Sequence, residues 1–126
     1  KYGLLRSDLT PRPAYYAYQV LTQQLDGYEF DQQLVVSEKP WIQIYRFDRD
    51  GVKKLVLWLD SGERIKEQDK DAVDTITISS AELGDWSGWL LITEKSGRSR
   101  VLRAPIEATL EVTSDPIFVA NLQVTP

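Results

Sequence analysis

The sequence predicts a mainly β protein, an antiparallel β-sandwich of about seven to nine strands preceded by one N-terminal α-helix. Three observations carry this. From residue 28 onward apolar residues recur with the two-residue period of half-buried strands. The alternating runs are short and separated by turn sequences such as Asp50-Gly51 and Glu94-Lys95-Ser96-Gly97. Ahead of them, residues 13–25 carry their apolar side chains at helical spacing instead.

The elements follow in order. Thr10-Pro11-Arg12-Pro13 supplies a capping residue and prolines, which suit a helix start because they have no amide proton to leave unpaired. Ala14, Ala17, Tyr18, Leu21 and Leu25 then share one helical face, Gln19 and Gln23 fall opposite, and Asp26-Gly27 is the stop. Tyr16 and Val20 widen the apolar stripe, so the helix is expected to pack against two surfaces. Short strands are expected at 28–30 and 33–37. A clear strand at 41–47 leads through a turn at 48–51 into 52–59, a hairpin by its Asp-Gly signal. Residues 55–59 are apolar on both faces, which marks a central strand covered on both sides and places Trp58 in the core.

Residues 60–74 form a polar loop. Alternation resumes at 73–79, and Ser79-Ser80-Ala81-Glu82 fits a capping box with room for a single turn before Gly84. Strands are then expected at 88–93, 98–103, 106–112, 116–119 and 122–124. Residues 1–27 read as the terminal loop and helix of a preceding domain, and 28–126 as the sandwich. A lone helix ahead of a β domain, together with a start at Lys1 and no Met, leads us to expect a C-terminal piece of a longer protein.

Composition narrows the function. With 126 residues, 42% hydrophobic and 27% charged, the chain can build one core. A formal charge of −4 argues against nucleic acid or anionic lipid as a main partner, since no basic surplus exists to neutralise phosphates. Arg98, Arg100 and Arg103 read as a solvated strand edge. No apolar run approaches the roughly 20 residues that span a bilayer, and no membrane partner is expected. Cysteine and histidine are both absent. Thiolate chemistry, imidazole catalysis and zinc sites built on those ligands are therefore excluded. Only carboxylates remain as catalytic groups, and no cofactor is expected.

The carboxylates themselves are unpromising. Glu107 and Glu111 sit four apart in an expected strand, which separates them by about 13 Å along the chain. A retaining glycosidase pair needs about 5–5.5 Å. Glu63 and Glu67 lie in the polar loop beside Lys66 and Lys70 and read as solvated charges. Asp48, Asp50 and Gly51 match the start of a calcium loop, but the twelfth position from Asp48 is Leu59 rather than Glu, so a hairpin turn is the better reading. No catalytic or metal-binding residue is assigned.

The four tryptophans are the best ligand candidates. An exposed indole offers a flat platform for the apolar face of a pyranose. Trp41 follows Pro40 at a strand start, and Trp86 and Trp89 flank Ser87-Gly88 near a turn. Trp41, Trp86 and Trp89 are therefore the candidate carbohydrate-binding residues. The bland alternative is that a sandwich of this size buries its tryptophans.

The opening stretch resembles the end of the catalytic barrel in clan-A-type glycoside hydrolases. There a last strand and loop of the form Gly-Leu-Leu/Val-x-x-Asp lead into a helix beginning Lys/Arg-Pro-Ala-Tyr-x-Ala. Here the corresponding residues are Gly3-Leu4-Leu5-Arg6-Ser7-Asp8 and Arg12-Pro13-Ala14-Tyr15-Tyr16-Ala17. The closing stretch 108–119 is similar to the end of the small β-sandwich that many such enzymes carry after the barrel, and Val56-Leu57-Trp58 suits its central strand. The resemblance implies a non-catalytic accessory domain supporting a barrel, with the helix region of Tyr15, Tyr16 and Tyr18 packed on that barrel. It implies no catalytic residue in this chain, because the barrel carries the acid/base and the nucleophile. A polysaccharide is a further possible partner, and an extracellular or periplasmic parent is compatible. Two rivals stand beside it: a carbohydrate-binding module, and an interaction or structural β domain unrelated to glycosidases.

Overall fold

The computed structural model of the chain describes residues 23–60 and 72–122. Most of the expected N-terminal helix, including Tyr15, Tyr16 and Tyr18, lies outside them, as do Glu63 and Glu67. Gln23 and Gln24 are helical, and a turn over 25–27 follows, with Gly27 at φ 79°.

The fold is mainly β. Eight strands run in the order β1 (Glu29–Leu34), β2 (Ile42–Arg49), β3 (Val52–Leu59), β4 (Asp74–Ile78), β5 (Trp89–Glu94), β6 (Ser99–Arg103), β7 (Ala108–Val112) and β8 (Ile117–Asn121). One turn of helix, α1 (Ser80–Leu83), lies between β4 and β5. Its capping box is formed: Ser79 Oγ accepts from Ala81 N at 3.3 Å, and the Glu82 carboxylate accepts from Ser79 N at 2.6 Å. All pairings are antiparallel, giving a six-stranded sheet β1-β2-β3-β8-β5-β6 and a two-stranded sheet β4-β7.

The core sits between the two sheets. Ile42, Ile44, Leu55, Leu57, Leu59, Leu90, Ile92 and Val119 of the large sheet meet Ile76, Ile78, Leu110 and Val112 of the small one, and Leu83 of α1 closes one end. The two-residue period of strand side chains places every second residue of β2, β3, β5 and β8 on this inner face and leaves the others on the outer face.

β3 is central, as its two-sided apolarity predicts, with β2 and β8 bonded to either side. Trp58, however, is not in the inter-sheet core. Leu57 and Leu59 face inward, so alternation turns Trp58 to the outer face, where its half-buried ring stacks on Tyr45 with centroids 5.3 Å apart and planes 7° from parallel. The expected strands at 28–30 and 33–37 are one strand, β1. A bulge between Phe30 and Gln32 leaves Asp31 unpaired and the pairing then resumes. Leu122 belongs to no strand, and the rest of the expected closing strand lies outside the described residues.

The β2–β3 turn is tighter than the 48–51 expectation. Arg49 already pairs with Val52, so the loop is Asp50-Gly51 alone, at φ 53° and 88°. Two positive φ values are what a two-residue turn matched to strand twist requires. A Cβ on Gly51 would meet nothing within 4 Å, so Gly51→Ala isolates the conformational cost. The expected loss is about 1–2 kcal/mol of unfolding free energy, read as a lowered urea midpoint with an unchanged slope.

Candidate functional site

Beyond the inter-sheet core, the described residues build three features that could serve a function: the ends of the sandwich, a groove at one edge, and the outer face of the large sheet.

At one end, a polar cluster forms because the bulge turns Asp31 toward the neighbouring strand. Arg46 Nε donates to Asp31 at 2.7 Å, and Lys53 Nζ lies 3.4 Å from Asp31 and 3.1 Å from Asp48. The Arg46 hydrogen bond, with Lys53 beside it, lowers the Asp31 pKa, and the bond to Asp48 raises that of Lys53. Arg46 also donates to the Gln32 side chain and to Glu82 O, which ties β1 and β2 to α1. Asp48 closes the hairpin by accepting from Gly51 N at 2.8 Å, the turn role that its spacing to Gly51 suggests. Among the described residues no group of three acidic side chains is placed to hold a metal ion.

At the opposite end sits Trp41. Its indole N–H donates to Asp74 Oδ2 at 2.7 Å, while Lys39 Nζ donates to Asp74 Oδ1 at 2.8 Å. Those two donors pull the Asp74 pKa down to about 2. A carboxyl whose folded pKa lies below its unfolded value of 3.8 stabilises the fold above that value and loses the contribution as pH falls toward 2. Asp74→Asn is therefore expected to lower stability at pH 6 and to converge on the wild-type value between pH 4 and about pH 2. Urea unfolding at several pH values reads this directly.

Trp86 is likewise half-buried against the core, and its indole N–H donates to Ala104 O at 2.7 Å. The adjoining loop is held by Asn121, whose side chain accepts from Ser87 N and donates to Asp85 O. Trp89 differs. It faces outward because Leu90 faces in, it is 39% exposed, and the Arg103 guanidinium lies over its ring at 5.7 Å. The structure does not bring the three tryptophans together. Trp41 and Trp89 lie at opposite ends of the large sheet, about 25 Å apart by strand rise, and Trp86 and Trp89 are on different faces. Arg98, Arg100 and Arg103 are exposed on the edge strand β6 or its turn.

A shallow groove of about 440 Å³ opens between β1 and β4, lined by residues that include Gln32, Gln33, Val36, Ile76 and Thr77. Its one carboxylate, Glu82, is engaged in the capping box. Of the carboxylates weighed from sequence, Glu111 is in β7 opposite Thr75, and Glu107 precedes that strand; both are exposed.

The outer face of the six-stranded sheet carries a second set of apolar side chains, separate from the inter-sheet core. Register places Phe30 and Phe47, Tyr45 and Val56, and Phe118 with both Val56 and Thr93 side by side on it. Phe30 packs edge-on to Phe47 at 5.8 Å, and Thr93 bonds to Ser99 across the β5–β6 pair. The helical Gln24 and the residues that follow it meet this face at one corner. Lys54 Nζ donates to Gln24 O at 2.7 Å, and the Tyr28 ring lies beneath both Lys54 and Arg49. Burial, with the nearby Arg49 charge, lowers the Lys54 pKa.

No family model matches the chain, and no curated protein matches it. The described residues form an apolar outer sheet face joined at one corner to a helix end, and polar clusters that join strands to one another.

Proposed function

We propose that this chain is the C-terminal β-sandwich of a glycoside hydrolase, preceded by the last helix of the catalytic barrel, and that its role is to support the barrel. The observation that carries the reading is a juxtaposition. The barrel-end pattern over residues 3–17 is followed, after a helix stop at Gly27, by a sandwich whose first strand begins at Glu29. The lack of histidine and cysteine fits a non-catalytic part, since the commonest acid/base side chain and the thiol nucleophile are then missing. The described carboxylates are engaged in caps, turns and ion pairs or stand apart on the surface.

The test has two arms. The purified chain incubated with aryl glycosides is expected to give no turnover above the uncatalysed rate, and turnover at ordinary enzyme rates would overturn the reading. The same chain is expected to wash freely from insoluble polysaccharides. Retention that is lost in Trp89→Ala would replace the support role with a carbohydrate-binding module, because Trp89 is the exposed indole of the three candidates.

A further inference from the structure

We propose that residues 13–25 dock as a helix on the outer face of the six-stranded sheet, over Val56, Phe118 and Thr93, as a third layer of the domain. Three observations converge on this occupant. First, Val56 and Phe118 are each only 1% exposed, yet neither belongs to the cluster between the two sheets. Strand side chains stand perpendicular to their sheet, so neighbours on the same face shield their flanks and not their tips. Burial this complete needs a layer above.

Second, the chain leading out of the helix is already fastened to that face. Lys54 is an outer-face residue of β3 and bonds both the main-chain and side-chain oxygens of Gln24, at 2.7 and 3.3 Å. Arg49 donates to Asp26 O at 3.4 Å, and its side chain packs where a Cβ on Gly27 would sit, 3.1 Å away. Two cations at the end of a helix satisfy its last carbonyls and complement its dipole. The helix end is therefore placed at the Lys54 corner, and Leu25 is half-buried there.

Third, the segment has the right reach and the right face. Thirteen residues (25 − 13 + 1) rise about 20 Å as a helix, which matches about four strands at their lateral spacing. Its stripe of Ala14, Ala17, Tyr18 and Leu21 combines two small residues that allow close approach with two large ones that cover. The packing does not depend on the glycoside hydrolase reading. That reading supplies only what lies on the far side of the helix, where Tyr16 and Val20 would face a preceding barrel, while Tyr18 is turned to the sheet and not to the barrel as the resemblance implied.

Nuclear Overhauser spectra of the full chain test the proposal. Contacts are expected from Ala17, Tyr18 and Leu21 to the Val56 methyls and the Phe118 ring, and their absence would overturn it. Two full-chain variants give a second readout. Ala17→Glu places a charge in the proposed seam and is expected to speed amide exchange at Val56 and Phe118 by about tenfold or more. Gln19→Glu, on the opposite side, is expected to leave that exchange unchanged. Equal behaviour of the two variants would overturn the proposal. Either result stands whether or not the chain hydrolyses glycosides, so the two readings can fail separately.

Discussion

Phe118→Ala is expected to lower the unfolding free energy by about 3–5 kcal/mol, the cost of deleting a fully buried aromatic side chain from a packed interior. Phe118 lies on the outer face of β8, between Val56 of β3 and Thr93 of β5, and is among the most buried side chains described. An aromatic on a solvated sheet face would cost much less, because most surface substitutions stay within about 0.5 kcal/mol. Val101, on the same face of edge strand β6 and 52% exposed, supplies that comparison: Val101→Ala should stay in the small range. Urea unfolding of both variants separates a covered outer face from an open one. If Phe118→Ala consumes most of a domain's typical 5–15 kcal/mol, Phe118→Leu keeps much of the volume and should cost about 1–1.5 kcal/mol.

Leu57→Ala is expected to cost about 2–5 kcal/mol by the same logic on the other side of the same sheet. Leu57 is fully buried in β3, paired with Ile44 of β2 and Ile117 of β8, and it faces the small β4-β7 sheet. Because Leu57 and Phe118 point into different layers, their effects should add to within about 0.5 kcal/mol in the double variant. A large coupling would mean that the two layers do not melt as separate packing problems. Denaturant unfolding of the two single variants and the double variant measures this.

Much of the fold was legible in the sequence because it rests on local rules. The two-residue period located β2, β3 and β5, and Asp50-Gly51 fixed their hairpin partner by the turn's demand for positive φ. The continuous apolar run 55–59 correctly marked β3 as central, since only a strand with cover on both faces has reason to be apolar on both. That same run misplaced Trp58. Its side depends on parity relative to Leu57, and a run apolar at every position does not say which face meets the second sheet. The bulge at Asp31 was illegible for a related reason. It breaks the alternation by one residue and so reads as two strands with a gap.

The site was harder to read. Trp41 and Trp86 look displayable from their places beside a proline and a turn. Their partners, Asp74 and the Ala104 carbonyl, are 33 and 18 residues away, and no spacing rule reports a hydrogen bond at that separation. Trp89 is the one of the three whose exposure agrees with the expectation. The outer-face fastening at Lys54 was missed as well. Its one available signal was the oddity of a Lys-Lys pair near the start of an otherwise apolar strand, which a solvated strand end beside the Asp50-Gly51 turn explains equally well.

The measurement that bears most directly on the glycoside hydrolase reading is the coding sequence immediately upstream of Lys1. About 250 residues of repeated βα units with glutamates at the ends of two strands are expected there, running in frame into Tyr2-Gly3-Leu4-Leu5. A start codon directly ahead of Lys1, or a preceding domain of another class, would contradict it.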